Sequence, residues 1–108
     1  MKRTYALLLS LLLLVALSAC GKKEPPTLKV IVEQQDRNMV ITAETGSFKL
    51  GVDGHMHVQI NDGPVAMPNG NRYTLSNREP GTYKIFVSIA DKDHNDLGVS
   101  ETVVFEMK

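Results

Sequence analysis

From Thr27 onward, apolar residues recur at every second position, and Val, Ile, Thr, Tyr and Phe dominate the runs they form. A period of two sends successive side chains to opposite faces, so the pattern predicts half-buried strands and no helix. The expected strands are Leu28–Glu33, Met39–Glu44, His55–Asn61, Val65–Met67, Arg72–Ser76, Thr82–Ala90 and Ser100–Met107. Turn-forming residues separate them: Asp36-Arg37-Asn38, Asp53-Gly54, Asp62-Gly63, Asn69-Gly70, Pro80-Gly81 and the stretch from Asp91 to Gly98. Aspartate, asparagine and glycine supply the backbone conformations that tight reversals need. The fold class this implies is all-β, a small antiparallel sandwich of about seven strands.

A different pattern occupies the N-terminus. Lys2 and Arg3 precede an almost unbroken apolar run, Ala6 to Leu17, and small residues lead to Cys20. A basic start, an apolar middle and a small-residue end make the layout of an export signal. The run is about 12 residues long, too short for a bilayer core that takes roughly 20 helical residues to cross. The tetrapeptide Leu17-Ser18-Ala19-Cys20 resembles the lipobox of bacterial lipoproteins. That resemblance implies a signal peptide over residues 1–19, removal of the leader, and acylation of Cys20, which becomes the first mature residue carrying chains such as palmitate. Each buried methylene contributes about 0.8 kcal/mol, and one chain alone binds marginally, so several hold the protein durably on the membrane. Residues 20–26, with the polar Gly21-Lys22-Lys23-Glu24 and then Pro25-Pro26, read as the lipidated cysteine and a flexible stem. The expected location is extracytoplasmic, on the cell membrane or the outer membrane. By family analogy, glycine after the cysteine favours the outer membrane in a Gram-negative cell.

Charge and cysteine count narrow the picture further. The chain has 12 basic and 12 acidic residues, and the leader holds two of the bases and no acid. The mature chain is therefore slightly acidic, which gives no electrostatic ground for nucleic-acid binding. With one cysteine in the whole chain, no internal disulfide forms, and the single domain expected over residues 27–108 depends on its apolar core.

The segment from Leu75 to Tyr83 resembles the passage into strand F of fibronectin type III and other immunoglobulin-like domains. This resemblance implies an immunoglobulin-like sandwich with Tyr83 as the corner tyrosine. It also implies that strand C, here His55–Asn61, pairs antiparallel with strand F, here Thr82–Ala90. After the leader no phosphate loop, CxxC, HExxH or nucleophile elbow occurs, so no catalytic residue is expected and the chain does not read as an enzyme.

What remains is the placement of the three histidines. His55 and His57 share one face of their strand, opposite the apolar Met56, Val58 and Ile60, so the imidazoles are expected outward. Antiparallel pairing of C with F brings the loop after Ala90, with His94, beside the start of C. All three rings then meet at one rim. Imidazole suits copper and zinc, and Asp53, Asp91 or Asp93 are expected to add an oxygen or an outer hydrogen bond. Small exported sandwiches with paired strand histidines occur among copper-handling proteins, and this chain is similar to them in that respect. A plainer reading stays open, in which the histidines are surface residues and His94 belongs to a polar turn with Asx hydrogen bonds.

His55-Met56 followed by Met67 is similar to the opening of periplasmic copper chaperones, but no His-x-Met follows His94. A two-residue turn at Asp62-Gly63 sets Met67 opposite Val58, so Met67 is expected in the core with Met56. Phe86 is expected outward beside His57 and Gln59, and Gln59 with Phe86 forms a candidate surface for an envelope protein partner. Two function classes follow. One is a lipid-anchored module binding copper or zinc, and the other is an adaptor lipoprotein that docks a protein through this sheet face without metal.

Overall fold

The computed structural model describes residues 26–108. The apolar leader, the Leu17–Cys20 tetrapeptide and the stem as far as Pro25 lie outside the described residues. Seven strands are formed: β1 (Lys29–Gln35), β2 (Asn38–Glu44), β3 (Gly54–Ile60), β4 (Val65–Ala66), β5 (Arg72–Leu75), β6 (Gly81–Asp91) and β7 (Asp96–Met107). They make two antiparallel sheets, ordered β1-β2-β5 and β4-β3-β6-β7. The expected all-β sandwich is what forms, and every expected strand has its counterpart within a few residues.

The core follows from the alternation. Met39 and Ile41 of β2 face Met56 and Val58 of β3 and Ile85, Val87 and Ile89 of β6, with Val30, Ala43 and Met107 completing one cluster. Burying a side chain of this kind contributes about 1.5–3 kcal/mol. Strand β7 alternates exposed and part-buried positions along its length, so Leu97, Val99, Val103 and Phe105 cover the core from one side. The two sheets are also tied where β1 meets β7. Gln34 Nε2 donates to the Lys108 carbonyl (3.0 Å) and Gln34 Oε1 accepts from the Lys108 amide (3.0 Å).

Two local expectations fail, each for a turn-chemistry reason. Gly98 does not end a long loop. It lies inside β7 at φ 73°, its amide donating to Asp96 Oδ1 (2.7 Å), where a bulge shifts the β6–β7 register between Ser88 and Ala90. A glycine that accepts a left-handed backbone lets the strand absorb extra residues and begin at Asp96 rather than Ser100. The second concerns the turn after β3. Asn61 and Asp62 occupy it at φ 50° and 58°, and it is closed by the Gly63 amide donating to the Ile60 carbonyl (2.9 Å). Asn61 is held there by Lys84 of β6, whose amide donates to Asn61 Oδ1 (2.8 Å) and whose carbonyl accepts from the Asn61 amide (2.8 Å). Pairing resumes as Gln59 with Val65 and Val58 with Ala66. The register is therefore one residue away from that expected, and Met67 is 57% exposed instead of lying in the core.

Tyr83 behaves as its sequence context implied. Its hydroxyl donates to the Glu79 carbonyl at 2.7 Å, tying the entry of β6 to the preceding loop. Tyr83→Phe removes that one hydrogen bond and keeps the ring, so it is expected to lower the unfolding free energy by about 1 kcal/mol, measured by urea titration of a folded segment containing both sheets.

Candidate metal centre

Strand β3 enters the sheet at Gly54, and this glycine decides how closely the histidine end of β3 meets β6. A Cβ at position 54 would overlap the Ala90 carbonyl oxygen and approach the Phe48 ring. Without one, the ladder runs unbroken from Gly54 opposite Asp91 to Ile60 opposite Ile85. His55 is paired with Ala90 and His57 with Ser88. Small residues across the ladder leave room above the strand, where the imidazole rings lie over it.

The third ring comes from the β6–β7 hairpin, and Asp91 builds that turn. Its Oδ1 accepts the amides of Asp93 (2.9 Å) and Asn95 (2.9 Å), and its Oδ2 accepts from Asn95 Nδ2 (3.2 Å). These donors, the Asn95 amide foremost, hold the Asp91 carboxyl below the usual range. The His94 amide donates to the Asp91 carbonyl (3.1 Å), and His94 itself sits at φ 66°. The turn has the Asx hydrogen bonds of the plainer reading, and it also aims His94 at β3.

The three imidazoles meet. Ring centroids are 4.4 Å apart for His55 and His94, 5.0 Å for His55 and His57, and 6.2 Å for His57 and His94. Ligand-capable nitrogens from all three lie within 4.8 Å of one another. His55 Nε2 and His94 Nδ1 are 2.9 Å apart and share a hydrogen bond, so one of them donates and the other offers a lone pair. His57 Nε2 is buried and has no partner. A buried nitrogen left unbonded costs about 1–3 kcal/mol, and sites of this kind call for a physical explanation. Metal–nitrogen bonds of about 2.0–2.1 Å place tetrahedral ligand atoms roughly 3.3 Å apart, so on metal binding the 2.9 Å His55–His94 pair would open slightly and the wider spacings would close.

The candidate outer carboxylates are engaged elsewhere. Asp53 Oδ2 accepts the Lys49 amide (2.9 Å), and Asp91 is occupied by its own turn. Asp93 contributes its amide to Asp91 and is exposed. Among the described residues, the hydrogen bonds of Asp53 and Asp91 therefore run to loop groups and not to an imidazole. On the same outward face, Gln59 Nε2 donates to the Gly63 carbonyl (2.9 Å), and the half-buried Phe86 is its partner on β6. Val65, opposite Gln59, and Val104, opposite Lys84, are 52% and 68% exposed.

Beside the rings opens a cavity of about 390 Å³, lined by His55, His94, Lys92, Met67 and Val52 among others. Met67 and Lys92 were not expected there. For Met67 two signals stood in the chain: the spacing of His55-Met56 and Met67, and the number of residues in the turn after β3, which sets the face.

Desolvation, then the neighbouring His94 and His57, hold the His55 pKa below the ordinary imidazole value, against a smaller opposing pull from Asp91. A base whose folded pKa is lowered takes up its proton more readily when unfolded. Its full stability is present above the unfolded value of about 6.5 and is lost as pH falls from there toward the lower folded value. The metal-free protein is therefore expected to lose unfolding free energy between about pH 7 and pH 5, a slope that His55→Gln reduces. Urea titrations across that range check this, and Asp91 contributes only at lower pH, where carboxylates protonate.

No protein-family model and no curated protein matches the chain. Among solved structures it is similar to the PKD1 domain of the Vibrio cholerae metalloprotease PrtV, with a TM-score of 0.54 and 8% identity, over 79% of this chain and 99% of that one. At this identity the likeness concerns the fold alone, and it agrees with the two-sheet, immunoglobulin-like sandwich described above.

Proposed function

We propose that this chain is a lipid-anchored, extracytoplasmic binding module that holds copper or zinc through His55, His57 and His94. The observation that carries the reading is the buried, unpartnered His57 Nε2, next to two rings that share a single proton. A metal ion would use that lone pair and replace the shared proton, relieving an unmet hydrogen-bonding need and accounting for the crowding of three bases. Imidazole nitrogen is a ligand that both copper and zinc accept. The lipid on Cys20 would supply the membrane attachment, with the short stem as spacer, so the folded domain needs no membrane contact of its own. The role proposed is binding rather than catalysis.

A second reading has its own support. Exposed Val65 and Val104 share the outer face of the larger sheet with the half-buried Phe86, and Gln59 lies between Val65 and Phe86. Apolar side chains on an open sheet face suit an adaptor that docks an envelope protein without metal.

Lys22–Lys108 contains all seven strands and the whole described core, and it lacks the cysteine that would compete for soft metals. Titrated with Cu(I), Cu(II) and Zn(II), it is expected to bind at least one ion tightly. His55→Ala and His94→Ala should each weaken that binding by roughly 10- to 100-fold or more. Loose binding by the wild type, or no effect of either substitution, leaves the adaptor reading. The anchor has a separate check: in cells, Cys20→Ser is expected to move the protein from the membrane fraction to the soluble fraction.

A further inference from the structure

Met67 is a large apolar side chain that the core does not use. It follows β4, where Val58 pairs with Ala66, and the same register carried one step further sets position 67 across from His57, on the outward face of β3. Its side chain is 57% exposed. It lines the cavity that His55 and His94 also line, and Gly51 and Gly54 leave part of that wall free of side chains. We infer that the Met67 thioether is a fourth ligand of the histidine site and makes that site selective for Cu(I), an inference that rests on the metal reading above.

The chemistry of the surroundings points the same way. Three imidazoles and a thioether form a donor set without charge. The carboxylates of Asp53 and Asp91 accept from loop amides, and Lys92 lines the same cavity as the rings. A donor set without charge leaves more of a divalent ion's charge uncompensated than of a monovalent ion's. Thioether sulfur is soft and selects Cu(I), whereas zinc gains little from it and would complete its tetrahedron with water. An exposed methionine also moves freely, so it can close on an ion that the strand-borne rings have already caught.

The test compares the Lys22–Lys108 segment with Met67→Leu, using Cu(I) under anaerobic conditions and Zn(II), each in competition with a chelator of known affinity. Leucine keeps the volume and the exposure, and circular dichroism confirms that the variant is folded. The expected result is a loss of Cu(I) affinity of roughly 10- to 100-fold in Met67→Leu with Zn(II) affinity unchanged. Copper X-ray absorption should show a sulfur neighbour in the wild type that the variant lacks. Equal Cu(I) affinity in the two proteins, an equal loss for both ions, or a copper spectrum without sulfur overturns the inference. If the histidine substitutions still abolish binding in that case, the metal reading survives without Met67. If the wild type binds neither ion, both fall together.

Discussion

The pairing of β3 with β6, unbroken from Gly54 opposite Asp91 to Ile60 opposite Ile85, governs both faces of the larger sheet at once. On the inner face it lines up Met56 and Val58 with Ile85, Val87 and Ile89, all fully buried in the core. On the outer face it sets His55 and His57 above Ala90 and Ser88, and because β6 runs antiparallel it delivers the hairpin carrying His94 to the same end. Core and site therefore share a single register. A slip of one residue would turn the apolar side chains to solvent and the imidazoles inward, so the burial that drives folding also locks the rings in place. Gly54 is where this arrangement is most exposed to change, because the backbone of β6 occupies the space a side chain would need.

The rim does not earn its keep as a stabilising device. Three bases are crowded together, one nitrogen is buried without a partner, and His55 gives up proton affinity to be there. Each feature costs free energy in the protein alone, and the fold offsets those costs through a core on the other side of the same strands. Asp91 shows how the expense is confined. Its carboxylate is fully used in shaping the four-residue reversal, so the hairpin presents His94 without relying on the imidazoles for its own shape. A ligand-binding group held by a rigid support that does not itself touch the ligand is a common way to preorganise a site.

Much of this was legible in the chain, and what was not had a definite cause. Alternation marked the strands because one face of each sheet packs on a core, and the residues leading into Tyr83 marked the corner because its hydroxyl has a backbone carbonyl to meet. The convergence of His55, His57 and His94 followed from the pairing of strand C with strand F that the immunoglobulin-like resemblance implied, together with antiparallel geometry. Met67 was misplaced because the connection after β3 carries one residue more than a two-residue turn: Lys84, distant in sequence, bonds Asn61 through both its amide and its carbonyl and sets Asn61-Asp62 at the tip, and pairing resumes only at Val65 opposite Gln59. Gly98 was misassigned for a kindred reason: the same left-handed glycine that ends a loop also makes a bulge, and only the β6 partner distinguishes the two. Periodicity reports which faces exist, whereas tertiary contacts decide how a short turn counts its residues.

The candidate ligands differ in how firmly the fold holds them, and that ordering bears on the proposed chemistry. His55 and His57 stand on a strand fixed by a full ladder, His94 on a braced turn, and Met67 just beyond a strand of two residues. Structural metal sites are closed on all sides and bind their ion as part of folding. Here the core is complete without any ion, and the rings open onto a cavity facing solvent. Under the proposed reading, metal would enter a preformed fold and leave it intact, with the loosest ligand, Met67, opening first. Such an ordering of support suits an ion that is bound and released, because a thioether held only beyond a two-residue strand can yield its place to an incoming ligand while three nitrogens retain the metal.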